Sequence, residues 1–253
     1  MKMYRPNLSK LGFAFIFLFI ACISAHAGIV SGTTTFDGVA PTMKSIKMDS
    51  DPYCALQHSS PLLKETAIVG PTGGLKNVFV YVKSGEELDT LIESGELKAP
   101  ITPVKLNQTG CHYEPHVFGI MIGQMLEIQN SDQTLHNIHA MPTQGGAFNI
   151  GMPGKPEPWN VNKSFKAKEI MVPIKCDVHS WMNAYAGVLD HPFFSVTDDQ
   201  GKFEIKDLPA GQYVIEAWHE KLGTSEQTIT VAEGAPVTVD FKFSKPTTEA
   251  AEA

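Results

Sequence analysis

Short runs of alternating apolar and polar residues, cut by glycine-, proline- and aspartate-bearing turns, predict an all-β protein of the sandwich or barrel class. The runs Val78-Phe-Val-Tyr-Val-Lys, Phe203-Glu-Ile, Tyr213-Val-Ile-Glu-Ala-Trp, Thr228-Ile-Thr-Val and Val237-Thr-Val-Asp-Phe-Lys-Phe are rich in β-branched and aromatic residues. Gly70-Pro-Thr-Gly-Gly, Asp198-Asp-Gln-Gly and Pro209-Ala-Gly stand between such runs as turn signals. Tyr113 to Ile128 continues the pattern in short pieces broken at Gly119 and Gly123. Only Glu86 to Ser94 reads as a helical turn, and it is short.

The N-terminus reads as a leader rather than as part of the fold. Lys2, Arg5 and Lys10 precede an apolar run from Leu11 to Cys22, and Ala25-His-Ala supplies a small-x-small cleavage pattern. This is the pattern of a secretory signal peptide spanning residues 1–27. The run of about 12 residues is shorter than the ~20 needed to cross a bilayer, so no transmembrane anchor is expected. The expected compartment is the periplasm. Without the leader, 17 Lys and Arg stand against 27 Asp and Glu, a net charge of −10. That balance disfavours nucleic acid as a partner. The tail from 244 to 253, with Pro246 followed by Thr, Glu and Ala, is expected to be disordered.

Three cysteines remain after the leader: Cys54, Cys111 and Cys176. In an oxidising compartment two of three should pair. Cys176 stands among metal-type neighbours and the others do not, so a Cys54–Cys111 disulfide is expected and Cys176 is left free. A pair of buried thiols, or a second metal site of Cys54, His58, Cys111 and His112, are the alternatives.

The residues that carry chemistry lie in two stretches about forty residues apart, Asn130-Ser-Asp-Gln-Thr-Leu-His-Asn-Ile-His-Ala-Met and Ile174-Lys-Cys-Asp-Val-His-Ser-Trp-Met. They offer His136, Cys176, His179 and Met182 as a ligand set. Two imidazoles and a thiolate in a trigonal arrangement with a weak axial thioether form the electron-transfer site of a blue copper ion. Any one of these side chains alone would read as packing. His139, three residues beyond His136, would point to the opposite face of a strand and is not counted as a ligand. His116, His191 and His219 are expected to make structural hydrogen bonds. His219-Glu220 lacks the second histidine of a zinc protease motif, and no nucleophile motif or second copper set is present. The expected class is therefore not an enzyme.

These residues resemble those of the cupredoxins, the type 1 blue copper family. Tyr113-Glu-Pro-His-Val-Phe-Gly-Ile-Met-Ile-Gly-Gln-Met-Leu-Glu-Ile-Gln-Asn-Ser-Asp is similar to the strand pair before the first ligand. His136-Asn137 is similar to the family's first histidine and following asparagine, and Cys176-x-x-His179-x-x-Met182 to its shortest ligand loop. The resemblance spans roughly residues 110 to 190. It implies one type 1 copper ion, an Asn137 that pins the ligand loop near Cys176, and a His179 that is the ligand nearest solvent and the electron exit. Trp181 would then belong to an apolar docking patch around His179. Asp177 departs from the family, which often has a small hydroxyl residue after the cysteine.

A second resemblance covers Thr197-Asp-Asp-Gln-Gly-Lys-Phe-Glu-Ile-Lys-Asp-Leu-Pro-Ala-Gly-Gln-Tyr-Val-Ile-Glu-Ala-Trp, which is similar to the carboxypeptidase regulatory-like, transthyretin-type β-sandwich. That family opens with strands such as Gly28-Ile-Val-Ser-Gly-Thr-Thr-Thr-Phe-Asp and Leu75-Lys-Asn-Val-Phe-Val-Tyr-Val, which here precede the copper-like region. The resemblances together imply a Greek-key cupredoxin sandwich at residues 85–190, inserted into a regulatory-like sandwich formed by 28–84 and 191–243. A simple tandem of two domains is the alternative. The implied function is single-electron transfer between exported redox partners, such as a c-type cytochrome or a dehydrogenase or oxidase. Two other readings stand beside it: Cu(I) binding and delivery, or a non-redox binding module with a vestigial copper loop.

Overall fold

β1 (Gly28–Asp37) begins the part of the chain that the computed structural model describes, residues 27–155 and 157–245. Most of the leader and the tail beyond 245 lie outside those residues. A five-residue helix, α1 (Pro52–Leu56), follows in the segment before β2 (Phe79–Ser84). Asp51 caps α1 by accepting from the amides of Tyr53 and Cys54, and Pro52 sits at its first position, where a missing N–H costs nothing. This helix corrects the expectation of a single helical turn. With so few residues it has no apolar periodicity to read. α2 (Glu86–Ser94) has the bounds expected from sequence. It buries Leu88 and ends at Gly95, whose φ of 67° is the left-handed conformation that glycine adopts freely.

The remaining strands are β3 (Val104–Thr109), β4 (His112–Glu114), β5 (Val117–Met121), β6 (Leu126–Asn130), β7 (His136–Ala140), β8 (Phe148–Met152), β9 (Trp159–Lys163), β10 (Glu169–Lys175), β11 (Asn183–Leu189), β12 (Phe194–Val196), β13 (Lys202–Leu208), β14 (Gly211–His219), β15 (Gly223–Val231), β16 (Val237–Thr238) and β17 (Phe241–Ser244). The protein is all-β, built of β-sandwiches.

One sandwich faces the sheet β13-β1-β16, with β17 also on β1, against the sheet β12-β2-β14-β15. Val30, Leu75, Val80, Ile205, Tyr213, Ile215 and Phe241 fill the space between them. Each such side chain contributes about 1.5–3 kcal/mol by leaving water. The other sandwich faces β5-β11-β10-β7-β8 against β4-β3-β6-β9, over a core of Leu106, Ile120, Ile128, Ile138, Val172 and Ala184. Its strands lie wholly between residues 104 and 189, whereas those of the first come from both sides of that range.

Phe79, Tyr81, Val117, Met171 and Leu189 form a smaller cluster where the two sandwiches meet. Gly119 and Gly187 face each other across β5 and β11. A Cβ on Gly119 would lie 2.2 Å from the Phe194 ring, and one on Gly187 2.3 Å from the Phe79 ring. Two glycines thus make the flat floor on which aromatic rings of the first sandwich rest.

Candidate metal centre

His136 opens β7, directly after a turn that is fixed by its own side chains. Asn130 donates to the carbonyls of Thr134 (3.1 Å) and Met152 (2.8 Å) and accepts from the amide of Asp132 (3.0 Å). Asp132 is 3% exposed, and its carboxylate accepts from the amides of Gly110 and Cys111 and from His136 Nε2, each at 2.8 Å. Burial alone would raise the Asp132 pKa, but these three hydrogen bonds outweigh it and hold the carboxyl below its ordinary value.

The second stretch turns tightly after β10. The Cys176 amide donates to the Met182 carbonyl (3.1 Å) and the Met182 amide to the His179 carbonyl (3.0 Å). Asn137 Oδ1 accepts from the amides of Asp177 (2.6 Å) and Val178 (3.4 Å), so Asn137 pins this loop as the cupredoxin resemblance implies. The amides of Asn137 (3.5 Å) and His179 (3.3 Å) point at Cys176 Sγ. Burial opposes ionisation of this thiol, yet His136 and the surrounding amides more than offset it and bring its pKa below that of a free cysteine. Cys176 is the free cysteine among the described residues, and it is buried.

His136, Cys176 and His179 offer ligand atoms that all lie within 4.8 Å of one another. Met182 is buried in the same apolar core as Cys176. The two imidazoles meet through their Nδ1 atoms, 2.9 Å apart. The other edge of each ring faces a carboxylate: His136 Nε2 to Asp132, and His179 Nε2 to Asp51 Oδ2 at 2.9 Å. Carboxylates accept, so the hydrogen-bond network places the proton of each ring on Nε2 and turns both Nδ1 lone pairs toward each other. Two lone pairs at that distance need a cation between them. A shared proton answers this: His136 is held above its ordinary pKa, where burial is outweighed by Asp132 and Cys176, and His179 is held below its own, first by burial. A metal ion answers it equally, and a histidine whose far N–H rests on a carboxylate is the usual form of a metal ligand. The donor set of imidazoles, thiol and nearby thioether fits a copper ion.

Asp51 has no counterpart in the sequence expectations. Its Oδ2 also accepts from the Thr134 hydroxyl (2.9 Å). It arrives on the segment between β1 and β2, which lays α1 over His179 and is tied down by the Cys54–Cys111 disulfide, Cα to Cα 5.6 Å. Met48, Cys54 and Cys111 form a small core there with Trp181 and Leu62 against it. His179 is consequently only 3% exposed, although it is still the most exposed of the four expected ligands, beside His136 at 0%, Met182 at 1% and Cys176 at 2%. Trp181 is partly exposed beside it, its indole N–H on the Cys111 carbonyl (3.0 Å) and its ring 4.9 Å from that of His179. The covering segment lies more than a hundred residues before His179, and no local pattern announces it.

His139 lies on the other face of β7 and pairs with Asp177 at 2.9 Å. That carboxylate also meets Asn149 (2.8 Å) and Lys175 (3.1 Å), which gives the departure from the cupredoxin pattern a set of partners. The alternative set of Cys54, His58, Cys111 and His112 is not assembled: both sulfurs are in the disulfide, and His58 Nε2 lies on the Gly110 carbonyl at 2.7 Å. His116 bridges Glu220 (2.8 Å) and the Asn183 carbonyl (3.1 Å). His219 accepts from the amides of Lys221 and Leu222, and His191 from that of Phe193.

Comparison with solved structures finds similarity to a copper-containing nitrite reductase from Thermus scotoductus SA-01, 20% identical over 34% of this chain and 22% of that one, with a TM-score of 0.30. A purple cupredoxin from Nitrosopumilus maritimus is 18% identical over 34% of this chain and 98% of its own, with a TM-score of 0.27. An oxidised proline-to-glycine mutant of amicyanin is 15% identical over 43% of this chain and 97% of its own, with a TM-score of 0.30. No curated protein sequence matches the chain. Residues 190–244, from just before β12 to the end of β17, match the carboxypeptidase regulatory-like domain.

Proposed function

We propose that this chain is an exported type 1 copper protein of the periplasm that passes single electrons between redox partners, with His136, Cys176, His179 and Met182 as its ligands. The observation that carries the reading is the pair of imidazole Nδ1 atoms 2.9 Å apart beside a buried free thiol, with both Nε2 atoms anchored on carboxylates. A copper ion bound there would supply a one-electron Cu(I)/Cu(II) couple. The protein's part is to hold the ligands still. Asp132 and Asp51 fix the ring orientations, the amides of Asn137 and His179 stabilise the thiolate, and Asn137 clamps the loop that carries three of the four ligands. A fixed site changes little when the electron arrives or leaves. We take residues 85–190 as the copper unit, set into a sandwich of 28–84 and 191–243; the pairing of β1 with strands after residue 201 supports this division. The leader pattern of residues 1–27 supports export, and the partners would be exported redox proteins such as a c-type cytochrome. Among the described residues no helix is long and apolar enough to cross a membrane.

A second reading, Cu(I) binding and delivery, draws on the burial of His179 under Asp51 and α1. Visible and electron paramagnetic resonance spectra of the Cu(II)-loaded protein separate the two. Electron transfer expects an intense thiolate charge-transfer band that is lost in Cys176→Ala. A colourless protein that reduces or rejects Cu(II) leaves Cu(I) handling in its place.

A further inference from the structure

All four expected ligands are buried, so a path from solvent to any of them needs part of the chain to move. The piece that lies over them comes from elsewhere in the fold. Residues 44–64 leave the first sandwich between β1 and β2 and close on themselves: the Ile46 amide donates to the Leu62 carbonyl (2.7 Å) and the Lys64 amide to the Lys44 carbonyl (2.9 Å). Among the described residues, no backbone hydrogen bond joins this loop to the second sandwich. Its polar ties to that sandwich run through side chains: Asp51 to His179 Nε2 and to the Thr134 hydroxyl, each at 2.9 Å, and His58 Nε2 to the Gly110 carbonyl at 2.7 Å. One tie is covalent. Cys54, whose Sγ is 3.8 Å from His179 Nε2, is bonded to Cys111 between β3 and β4. Side-chain hydrogen bonds break and re-form as a segment opens locally. An S–S bond does not, and it confines the loop even when every one of them is broken.

We propose that the Cys54–Cys111 disulfide is the latch of a lid: residues 44–64 lift away from His179 and Cys176 while the bond is open, and are held over them once it closes. Closure turns two thiols into one S–S bond. The two electrons and two protons pass to a disulfide-bearing oxidant, whose own S–S bond becomes two thiols. The use of the latch rests on the copper reading and sets an order of events: the ion enters the open chain, and closure retains it. A chain closed while empty loads slowly, because Asp51 and α1 then stand between solvent and His179.

The test is made on the full metal-free chain, so a failure of the copper reading leaves its outcome standing. Iodoacetamide is added to the disulfide-bonded chain and to a variant carrying Cys54→Ala and Cys111→Ala, and alkylation is followed by mass at the peptide that holds Cys176. The variant should react about tenfold faster or more, since a cross-link that limits local opening has been removed. Amide hydrogen exchange is measured in parallel. Exchange across residues 44–64 should rise in the variant while β7, β10 and β11 keep their protection. Equal alkylation rates in the two chains overturn the proposal, and so does unchanged exchange across 44–64. A variant in which β7, β10 and β11 lose protection together with 44–64 overturns it as well, because the bond would then hold up the sandwich rather than a lid.

Discussion

Replacing Asp132 by asparagine keeps the shape of the side chain and removes its charge and one acceptor. Three N–H groups converge on this carboxylate: Gly110 on Oδ1, and Cys111 and His136 on Oδ2, all at 2.8 Å. An amide has one oxygen. If that oxygen stays with Gly110, the NH2 group faces two donors, and His136 must move its proton to Nδ1 to accept from it. If the amide flips, the Gly110 N–H is buried without a partner. Either arrangement costs about 1–3 kcal/mol of stability for one orphaned buried donor. Both also withdraw the negative charge that makes the ring a strong ligand, and the first turns a proton instead of a lone pair toward His179. Loss of such a supporting partner typically weakens metal binding by about 10–100-fold, or about 1.4–2.8 kcal/mol. Competition with a calibrated Cu(I) chelator measures the affinity, and nitrogen-15 shifts of the imidazole in the metal-free protein report the tautomer. An Asp132→Asn protein that binds copper within about twofold of the wild type would refute the role given to this carboxylate.

Gly154 abuts the turn that precedes β7. A Cβ there would lie 2.2 Å from the Gln133 carbonyl carbon and 2.4 Å from the Thr134 nitrogen, so Gly154→Ala should cost about 1–3 kcal/mol in a denaturant titration. Gly151→Ala, with open space around its Cβ, is the control and should leave the midpoint in place. The buried His116–Glu220 pair should make stability depend on pH in a defined window. Burial opposes the His116 charge, but Glu220, Glu65 and the Asn183 carbonyl outweigh it and raise its pKa, so its contribution is full below about pH 6.5 and fades as pH rises through the raised value. Burial likewise opposes the Glu220 charge, yet His116 depresses its pKa, so that contribution is present above about pH 4.3 and fades as pH falls through the depressed value. Glu220→Gln should therefore lower the melting temperature most between about pH 4.5 and 6.5, with the gap closing toward alkaline pH. A gap constant with pH would show that the pair is not charged.

Much of this architecture is legible in local patterns. Alternation marks β13, which has one face in a core and one toward water, whereas β2 reads as a continuous apolar run because Val80 and Val82 enter the first core while Phe79 and Tyr81 enter the cluster between the sandwiches. The bounds of α2 follow from Leu88 and its neighbours and from the stop at Gly95. Counting three cysteines in an exported-looking chain yields the pairing of Cys54 with Cys111. The sequence is silent where distant segments meet. Asp51 reads as an ordinary turn residue before a proline, and only the fold sets it on His179. Asp132 stands inside the stretch singled out for its chemistry, and its four-residue separation from His136 is a signal that strand spacing alone does not interpret, because the intervening turn decides where it points. The depth at which His179 lies is hidden from local pattern for the same reason, since its cover comes from the segment between β1 and β2.

The pairing of β1 also sets a timetable. Its partners β13, β16 and β17 all lie beyond residue 201. A ribosome adding about 5–20 residues per second delivers them on the order of ten seconds or more after β1 itself. Through that interval the strands of the inner sandwich, complete by residue 189, can find one another, while β1 waits as an unpaired edge open to other chains. Contacts closed over such distances along the chain also form slowly. Damage to the last fifty residues would take most of its partners from the opening strand while leaving the candidate ligands in the chain.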